Sequence, residues 1–242
     1  MSKSSIKRPS TSLIIQVLKD FEISCPDNID LTGYQGDLTN DSRSIANESD
    51  SGDIFCAIIG HEQDGRQYIE SAIHSGAKLV LSECKNESEH GDIRYISFAN
   101  RQVAVISFYQ LNKKLFSLAS AYYQSPEKSM TMIGITGTNG KTSTSLLLGQ
   151  ILTNCQKPCA IIGTNGAGLI DDLQASENTT PSATDLVQLF SLFSQKKVNK
   201  EKITHLAMEV SSHAIEQGRV TGNTFDIAVF TNLSRDHLDY HG

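Results

Sequence analysis

A glycine-rich segment that ends in a lysine and a threonine carries the strongest chemical signal in the sequence. It runs from Gly134 to Thr142 as GITGTNGKT, after the apolar run Met130–Thr136 and before Ser143–Leu152, which is rich in helix formers. A strand, a glycine-rich turn and a helix in this order form a phosphate-binding loop, whose backbone N–H groups and helix N-terminus surround phosphates. In such a loop Lys141 would reach the β- and γ-phosphates and the Thr142 hydroxyl would bind Mg²⁺.

The segment departs from the strict pattern GxxxxGK[ST], which requires glycine at position 135. The chain has Ile135 there. The alternative is a tight Gly-Lys turn that binds no ligand. The flanking strand and helix are independent features of the pattern, and they favour the phosphate loop.

Three further apolar runs also end in polar residues. The runs are Cys159–Gly163, Ile203–Val210 and Asp226–Thr231, and the polar segments at their ends are 163–166, 209–213 and 231–237. Continuous rather than alternating apolar residues are typical of parallel strands covered on both faces, so we expect an α/β fold with a mostly parallel sheet. Ligands bind at the carboxyl ends of such strands, and these segments are therefore predicted to converge on the phosphate loop.

Two residues of these segments are candidate metal ligands. Glu209 follows apolar residues, where a carboxylate is unfavourable without a cation or hydrogen-bond partners, and we interpret it as a Mg²⁺ ligand rather than as a capping or ion-pairing residue. His237 lies in a polar segment. Because lone histidines are seldom ligands and Mg²⁺ prefers oxygen, the residue types alone leave its role open.

The N-terminal half has its own pattern of helices and strands. The segment from Leu13 to Phe21 has helical periodicity after a possible cap at Ser10 or Thr11, and a strand, a helix and a strand follow over 54–59, 68–76 and 78–82. This order predicts a βαβ unit. We expect one domain over 1–110 and a second over 111–242, with Leu111–Tyr123 as a connecting helix; the basic stretch 195–202 is interpreted as a solvated helix end.

Composition excludes several classes of protein. The 242 residues carry 21 basic and 27 acidic side chains, a formal charge of −6, without the basic clusters of a nucleic-acid-binding protein. No apolar run reaches the roughly 20 residues that span a bilayer, and the polar N-terminus lacks an export signal. We expect a cytoplasmic monomer that binds neither nucleic acid nor membrane, with five ordinary cysteine thiols.

Several motifs together resemble those of the Mur ligase superfamily. They are 137–142 (GTNGKT), 178–182 (NTTPS), 208–213 (MEVSSH) and 231–242 (TNLSRDHLDYHG), together with 41–43 (DSR), 52–55 (GDIF) and 60–69 (GHEQDGRQYI) in the first half. Within the superfamily they are most similar to the branch that adds the third residue of the peptidoglycan stem peptide. The resemblance implies a small N-terminal α/β domain that binds the nucleotide sugar, followed by a phosphate-loop ATPase domain.

The resemblance also implies roles for individual residues. The residues implied to bind ATP are Gly137, Thr138, Asn139, Gly140, Lys141, Thr142 and Ser143. Those implied to hold the UDP end of the nucleotide sugar are Asn40, Ser42, His61, Glu62 and Gln63, and those implied to hold its muramoyl-peptide are Asn178, Thr179, Thr180, Ser211, Gln217 and Arg219. Lys141, Glu209 and His237 are implied to be catalytic, with Thr142 and Glu209 on one Mg²⁺ and His237 on a second. Ser42, Ser211 and Gln217 remain open to a simpler interpretation as turn or cap residues.

The implied reaction is an ATP-dependent ligation in which UDP-MurNAc-L-Ala-D-Glu is activated as an acyl phosphate and then joined to meso-diaminopimelate or L-lysine. The resemblance ends at Gly242, before the family's carbamylated lysine and its C-terminal domain. We therefore expect this chain to bind substrates but to catalyse little or no ligation alone.

Three alternatives remain at this point. The first is another Mur-type ligase, such as a folylpolyglutamate synthase, which the first-half motifs disfavour. The second is a phosphate-loop kinase or nucleotide switch. The third is a non-catalytic protein that only binds a UDP-sugar.

Overall fold

The computed structural model describes residues 8–25, 34, 36–45, 52–61, 63–99 and 101–235. These residues form two compact units, one that ends at Gln124 and one that begins at Ser125. The division lies after the helix Leu111–Tyr122 rather than before it, and thus differs from the expected boundary at residue 110. The reason is packing: this helix lies against the first helix and a central strand of the first unit, so its apolar face belongs to that core.

The first unit is a five-stranded sheet with three helices. In chain order its elements are α1 (Thr11–Asp20), β1 (Leu38–Thr39), β2 (Ile54–Ala57), α2 (Ile69–Ser75), β3 (Leu79–Cys84), β4 (Ile93–Phe98), β5 (Arg101–Tyr109) and α3 (Leu111–Tyr122). The sheet order is β1-β2-β3-β5-β4, and only the edge strand β4 is antiparallel to its neighbour. The predicted βαβ unit is confirmed as β2-α2-β3.

Local sequence explains the ends of these helices. The Ser10 side chain accepts a hydrogen bond from the Leu13 amide and caps α1, as predicted. Helix α2 ends at Gly76, whose φ of 120° is accessible mainly to glycine. The buried faces of α2, β2, β3 and β5 form the core on one side of the sheet.

The second unit is a six-stranded sheet with helices on its faces. Its elements are β6 (Thr131–Thr136), α4 (Lys141–Asn154), β7 (Cys159–Gly163), β8 (Gly166–Leu169), β9 (Asp172–Gln174), α5 (Ala183–Gln195), β10 (Lys197–Val198), β11 (Glu201–Lys202), β12 (His205–Glu209), α6 (Ser212–Glu216) and β13 (Ile227–Phe230). The sheet order is β13-β6-β12-β7-β8-β9. The four predicted strands, β6, β7, β12 and β13, are confirmed and are mutually parallel.

The register of these strands aligns their carboxyl ends. Glu209 of β12 pairs with Ile135 of β6, and Phe230 of β13 pairs with Thr136. Met208 of β12 lies beside Ile162 of β7. The polar segments that follow the four strands therefore begin at one edge of the sheet, as a parallel arrangement requires.

Two features of the second unit differ from expectation. The chain turns back after β7 to add β8 and β9 in antiparallel order. The basic stretch after α5 forms the short antiparallel hairpin β10-β11 rather than a helix end. Among the described residues, no helix is both long enough and apolar enough to cross a bilayer.

Candidate functional site

The phosphate loop joins β6 to α4 through two glycines in the left-handed region. Gly137 has a φ of 129° and Gly140 a φ of 83°, and α4 begins directly after Gly140. A Cβ atom on Gly137 would lie 2.2 Å from Thr231 Oγ1 and 2.8 Å from the Asn232 carbonyl oxygen. The loop thus needs glycine for its backbone shape and also for the close approach of the segment after β13.

Lys141 lies against this loop. Its Nζ donates hydrogen bonds to the carbonyl oxygens of Gly137, at 2.6 Å, and Thr138, at 3.0 Å. The ammonium is therefore held at the N-terminus of the 14-residue helix α4, where the helix dipole already favours an anion. A phosphate at this point would meet both positive potentials.

Glu209 is the buried carboxylate of the site, with 1% of its surface exposed. Its Oε2 accepts hydrogen bonds from Thr142 Oγ1 at 2.9 Å and Thr164 Oγ1 at 3.2 Å, and its Oε1 accepts one from the Thr164 amide at 2.9 Å. Within the part of the chain that the structure describes, Glu209 forms no ion pair. Hydroxyl and amide donors stabilise this carboxylate against its loss of water.

Gly163 gives Glu209 the space that it occupies. A Cβ atom on Gly163 would lie 2.0 Å from Glu209 Oε1 and 2.9 Å from its Cγ. Any larger residue at the end of β7 would displace the carboxylate from Thr142.

The oxygens of Thr142 and Glu209 are suitably placed for a magnesium ion. The 2.9 Å between Thr142 Oγ1 and Glu209 Oε2 matches the roughly 3 Å between adjacent ligands of an octahedral ion with bonds of about 2.1 Å. Both are oxygen donors, which Mg²⁺ prefers. His237 and Glu62 lie outside the described residues, and among the described residues no three His, Cys, Asp or Glu side chains form a metal-binding group.

The segment after β13 is hydrogen-bonded directly to the phosphate loop. Asn232 accepts a bond from the Asn139 amide through Oδ1 and donates one to the Asn139 carbonyl through Nδ2, both at 3.0 Å. Thr138 Oγ1 pairs with the amide and carbonyl of Ser234 at 2.9 and 3.1 Å. The convergence predicted for β6, β7, β12 and β13 is thus confirmed in geometry.

The residues implied to hold the muramoyl-peptide form a second cluster in this unit. Thr180, 1% exposed, donates a hydrogen bond to the Glu209 carbonyl at 2.9 Å and accepts one from the Ser211 amide at 3.1 Å. Arg219 donates to the Thr180 carbonyl at 2.6 Å and to Gln217 Oε1 through Nε and Nη2. Their contacts connect this cluster to the Glu209 strand end.

The other implied site residues of this unit have contacts of their own. Thr179 Oγ1 is 3.1 Å from Thr164 Oγ1, and the Asn178 carbonyl accepts a bond from Ser176. Ser211 caps α6 and Gln217 lies at its C-terminal cap, so both have the structural role considered above in addition to any role in binding. Ser143 is exposed in the first turn of α4.

In the first unit, Asn40 and Ser42 lie where β1 ends. Asp41, between them, accepts bonds from the amide, Nε and Nη2 of Arg43 and so forms a rigid short turn over Ser42–Ser44. The Arg43 guanidinium holds the pKa of Asp41 below its usual value. Ser42 is a turn residue here, as the simpler interpretation proposed.

His61 and Gln63 lie in a turn that follows β2. The turn is closed by an isolated antiparallel bridge between Ile59 and Asp64. The side chain of Gln63 accepts a hydrogen bond from Tyr68 at 3.3 Å. Asp64 and Arg66 repeat the bonding pattern of Asp41 and Arg43, and the pKa of Asp64 is likewise lowered by its arginine.

Comparisons with known proteins agree with the division of the chain into two units after Gln124. Residues 38–123 match the model of the Mur ligase family, catalytic domain, and residues 135–242 match that of the Mur ligase middle domain. The chain belongs to the Mur ligase family. Membership of this family establishes the fold, whereas the substrate depends on individual residues of the site.

Two curated relatives of this Mur ligase chain carry the same name. A UDP-N-acetylmuramoyl-L-alanyl-D-glutamate--2,6-diaminopimelate ligase of Haemophilus influenzae (strain 86-028NP) is 44% identical over 201 residues, which are 83% of this chain and 38% of that protein. The same protein of strain PittGG is 43% identical over an equal share. The chain thus spans under two fifths of the length of these curated relatives.

Solved structures of ligases with related names have a fold similar to that of this chain. A ligase of the same name has a TM-score of 0.62 and 31% identity, covering 86% of this chain and 38% of that chain. A UDP-N-acetylmuramoylalanyl-D-glutamyl-2,6-diaminopimelate--D-alanyl-D-alanyl ligase of Acinetobacter baumannii has a TM-score of 0.54 and 16% identity, covering 97% of this chain and 44% of that one. This second likeness concerns the fold alone.

Sequence reasoning missed three contributors to the site. Thr164 donates to Glu209, and Thr231 and Asn232 bond the phosphate loop, yet none was selected as a site residue. Their only signal was their position in polar segments at strand ends. Which member of each segment points to the loop depends on the register of the sheet.

Proposed function

We propose that this chain supplies the nucleotide-sugar-binding and ATP-binding parts of a ligase that adds a diamino acid to UDP-MurNAc-L-Ala-D-Glu. One observation supports this most strongly: the buried Glu209 carboxylate lies 2.9 Å from the Thr142 hydroxyl at the end of a phosphate loop. That pair suits a magnesium nucleotide, and a tight turn without a ligand would have no need of it.

The names of the relatives support UDP-MurNAc-L-Ala-D-Glu as the substrate. They act, by name, on UDP-N-acetylmuramoyl-L-alanyl-D-glutamate and 2,6-diaminopimelate. The similarity extends over both units of this chain, so it includes the turns implied to bind the UDP end. For the incoming amino acid, these names favour 2,6-diaminopimelate over L-lysine.

The chemistry follows from the poor reactivity of a carboxylate. The γ-carboxylate of the D-glutamate attacks the γ-phosphorus of ATP, and ADP leaves to give an acyl phosphate. The amine of the diamino acid then attacks the acyl carbon, and phosphate leaves as the amide forms. When bound, Mg²⁺ supplies positive charge to the phosphate oxygens.

Individual residues of the chain would divide this work. Lys141 would bind phosphate oxygens beside the loop amides, and Thr142 and Glu209 would hold the metal. Thr180, Ser211 and Arg219, joined to the Glu209 strand end, would orient the muramoyl-peptide. None of these residues has to act as a covalent nucleophile. His237 is proposed as a ligand of a second Mg²⁺ on the resemblance alone.

Calorimetric binding tests this function on the 242-residue chain. We expect ATP to bind in the presence of Mg²⁺ and much less with EDTA, and UDP-MurNAc-L-Ala-D-Glu to bind independently of ATP. Thr142→Val should reduce the Mg²⁺-dependent affinity for ATP by about 10-fold or more, equal to about 1.4 kcal/mol. Thr153→Val, on an exposed position of the same helix, is the matched control and should leave it unchanged.

Other outcomes would favour the alternatives. Failure of the chain to bind UDP-MurNAc-L-Ala-D-Glu, together with ATP hydrolysis that is indifferent to it, would replace the proposal with a kinase or nucleotide switch. Binding of the nucleotide sugar without any Mg²⁺-dependent binding of ATP would favour a non-catalytic UDP-sugar-binding protein. Binding of a folate in place of the nucleotide sugar would favour another Mur-type ligase.

A further inference from the structure

The turn that contains His61 and Gln63 is closed tightly at its base. The Gly60 amide donates to the Gln63 carbonyl at 3.0 Å, and the Gly65 amide donates to the Ile58 carbonyl at 2.8 Å. A Cβ atom on Gly60 would lie 2.7 Å from the Gln63 oxygen, and one on Gly65 would lie 2.8 Å from the Ile58 oxygen. These contacts fix the two ends of the turn at Gly60 and Gly65.

The turn is attached to the rest of the first unit through both backbone groups of Ile59. Its amide donates to Glu83 Oε2 at 2.6 Å, and its carbonyl accepts a bond from Asn112 Nδ2 at 3.4 Å. Glu83 lies near the carboxyl end of β3, and Asn112 lies in the first turn of α3. Strand β3 and helix α3, which are distant from the turn in sequence, thus both bond Ile59 of the turn.

The backbone amide of Asn112 is also close enough to the Glu83 carboxylate to act on its pKa, which it lowers. That amide belongs to the first turn of α3, where N–H groups have no partner within the helix and the dipole favours a negative charge. One carboxylate therefore bridges β3, the N-terminus of α3 and the base of the turn.

The environment of Glu83 is unfavourable for an ordinary surface carboxylate. Partial burial raises the pKa of Glu83, while the Ile59 and Asn112 amides and the charge of Arg66 act in the opposite direction. Among the described residues no lysine or arginine lies within ion-pair distance of it. Its direct link to the turn is consequently the bond that it accepts from the Ile59 amide.

We propose that Glu83 is a positioning residue for the nucleotide-sugar site, where its carboxylate fixes the Ile59–Asp64 turn so that His61 and Gln63 face the UDP end of the substrate. This inference deepens the proposed function and rests on it. It assigns a role to a residue that no motif indicated. It also explains why a strand that carries none of the implied binding residues has a carboxylate beside the turn.

Three variants of the full chain test the role. Glu83→Gln removes the charge and keeps one acceptor oxygen, Glu83→Ala removes both acceptor oxygens, and Glu87→Gln changes an exposed carboxylate nearby as a control. The first measurement is hydrogen exchange of the Ile59 amide. We expect exchange about 10-fold faster in Glu83→Gln, more in Glu83→Ala, and no change in Glu87→Gln.

The second measurement compares two ligands on the same variants. Affinity for UDP-MurNAc-L-Ala-D-Glu should fall by about 10-fold in Glu83→Gln and further in Glu83→Ala, because the turn must be ordered on binding. Affinity for Mg²⁺-ATP should remain at the wild-type value. Loss of a residue that merely stabilises the fold would lower the melting temperature, while the folded variant would bind the nucleotide sugar with wild-type affinity.

The outcomes separate this inference from the proposed function. If the wild-type chain binds the nucleotide sugar and Glu83→Gln and Glu83→Ala bind it equally well, Glu83 does not position the site and the inference is overturned. Unchanged exchange at Ile59 in both variants overturns it as well. If the wild-type chain fails to bind the nucleotide sugar at all, the proposed function fails first, and the inference fails with it.

Discussion

The hydrogen bonds that hold the strand ends differ between the two units of this protein in the sequence separation of the residues that they join. In the second unit, Glu209 bonds to Thr142 and Thr164, which are 67 and 45 residues away. In the first unit, the turns after β1 and β2 are each stiffened by an Asp-x-Arg pair only two residues apart. A local pair stabilises its own turn, whereas the Glu209 cluster joins several strands, so damage to it should spread further.

The two Asp-x-Arg pairs are nearly identical in geometry. In each pair the aspartate caps a short helical turn by accepting a hydrogen bond from the backbone amide of the arginine. It also accepts hydrogen bonds from Nε and Nη2 of the same arginine side chain. They differ in exposure: the arginine of the Asp41 pair is 78% exposed, and that of the Asp64 pair is 34% exposed. Because the two pairs share their geometry and differ in exposure, comparing them measures how solvent changes the contribution of this pair to stability.

The largest effect is expected from Glu209→Ala. The change leaves the hydroxyls of Thr142 and Thr164 and the Thr164 amide without their acceptor, and the free energy of unfolding should fall by about 3 kcal/mol. Mg²⁺-dependent binding of ATP should also be lost. Urea denaturation and calorimetry measure the two effects, and Glu216→Ala, on an exposed residue of α6, is the control. A loss below about 1 kcal/mol would show that the cluster joins the strands only weakly.

A smaller effect is expected from Thr164→Val. The change removes one hydroxyl donor to Glu209 and the contact with Thr179, but keeps the backbone bond to Oε1. We expect a loss of about 1 kcal/mol in unfolding free energy. Thr164→Ser retains the hydroxyl and should retain most of the stability. A larger loss in Thr164→Ser than in Thr164→Val would assign the effect to the methyl group instead.

A still smaller effect, with a defined pH dependence, is expected from Asp64→Asn. The pKa of Asp64 is lowered in the folded state by Arg66, so its contribution is present above the unfolded-state pKa of about 4 and is lost as the pH falls through the folded-state pKa. Because the pair is partly exposed and screened, the loss at pH 7 should stay below about 1 kcal/mol. Denaturation from pH 7 to pH 2 should give a flatter profile for the variant. A loss as large as that of Glu209→Ala would remove the distinction between local and long-range sites.

The smallest effect is expected from Asp41→Asn. Its partner Arg43 is the more exposed of the two arginines, and solvent screening should reduce the loss to below about 0.5 kcal/mol. Raising the salt concentration should reduce the difference from wild type further for Asp41→Asn than for Asp64→Asn. If the two variants respond equally to salt, exposure does not govern the strength of this motif.

The sequence patterns correctly predicted the helices, strands and turns that depend on interactions between residues close in sequence. Helix α1 with its Ser10 cap, β7 over Cys159–Gly163, and the glycine-rich turn before α4 were all found where the residues indicated. Strand ends moved by one or two residues, as for β6, which begins at Thr131 rather than Met130. Capping side chains and apolar runs act within a few residues, so their effects are visible in the sequence.

Long-range pairing decided what the patterns could not. The short strands β8 and β9 are held by pairing with β7 rather than by their own apolar runs, and α3 joined the first unit because its apolar face packs there. The hairpin β10-β11 has only two residues in each strand. Short strands have too few side chains to carry a periodic signal, and their existence depends on the neighbour that accepts their hydrogen bonds.

The sequence by itself determined that a phosphate loop lies between a buried strand and a helix, because glycine conformations and apolar runs are properties of a few adjacent residues. It also determined that polar groups follow four strands of a parallel sheet. Only the tertiary structure decided which of these groups meet: that Glu209 is held by Thr142 and Thr164, that Asn232 bonds Asn139, and that Glu83 holds Ile59. Contacts of this kind depend on the register of neighbouring strands and on angstrom-scale distances between side chains, and neither quantity is contained in the order of residues along one strand.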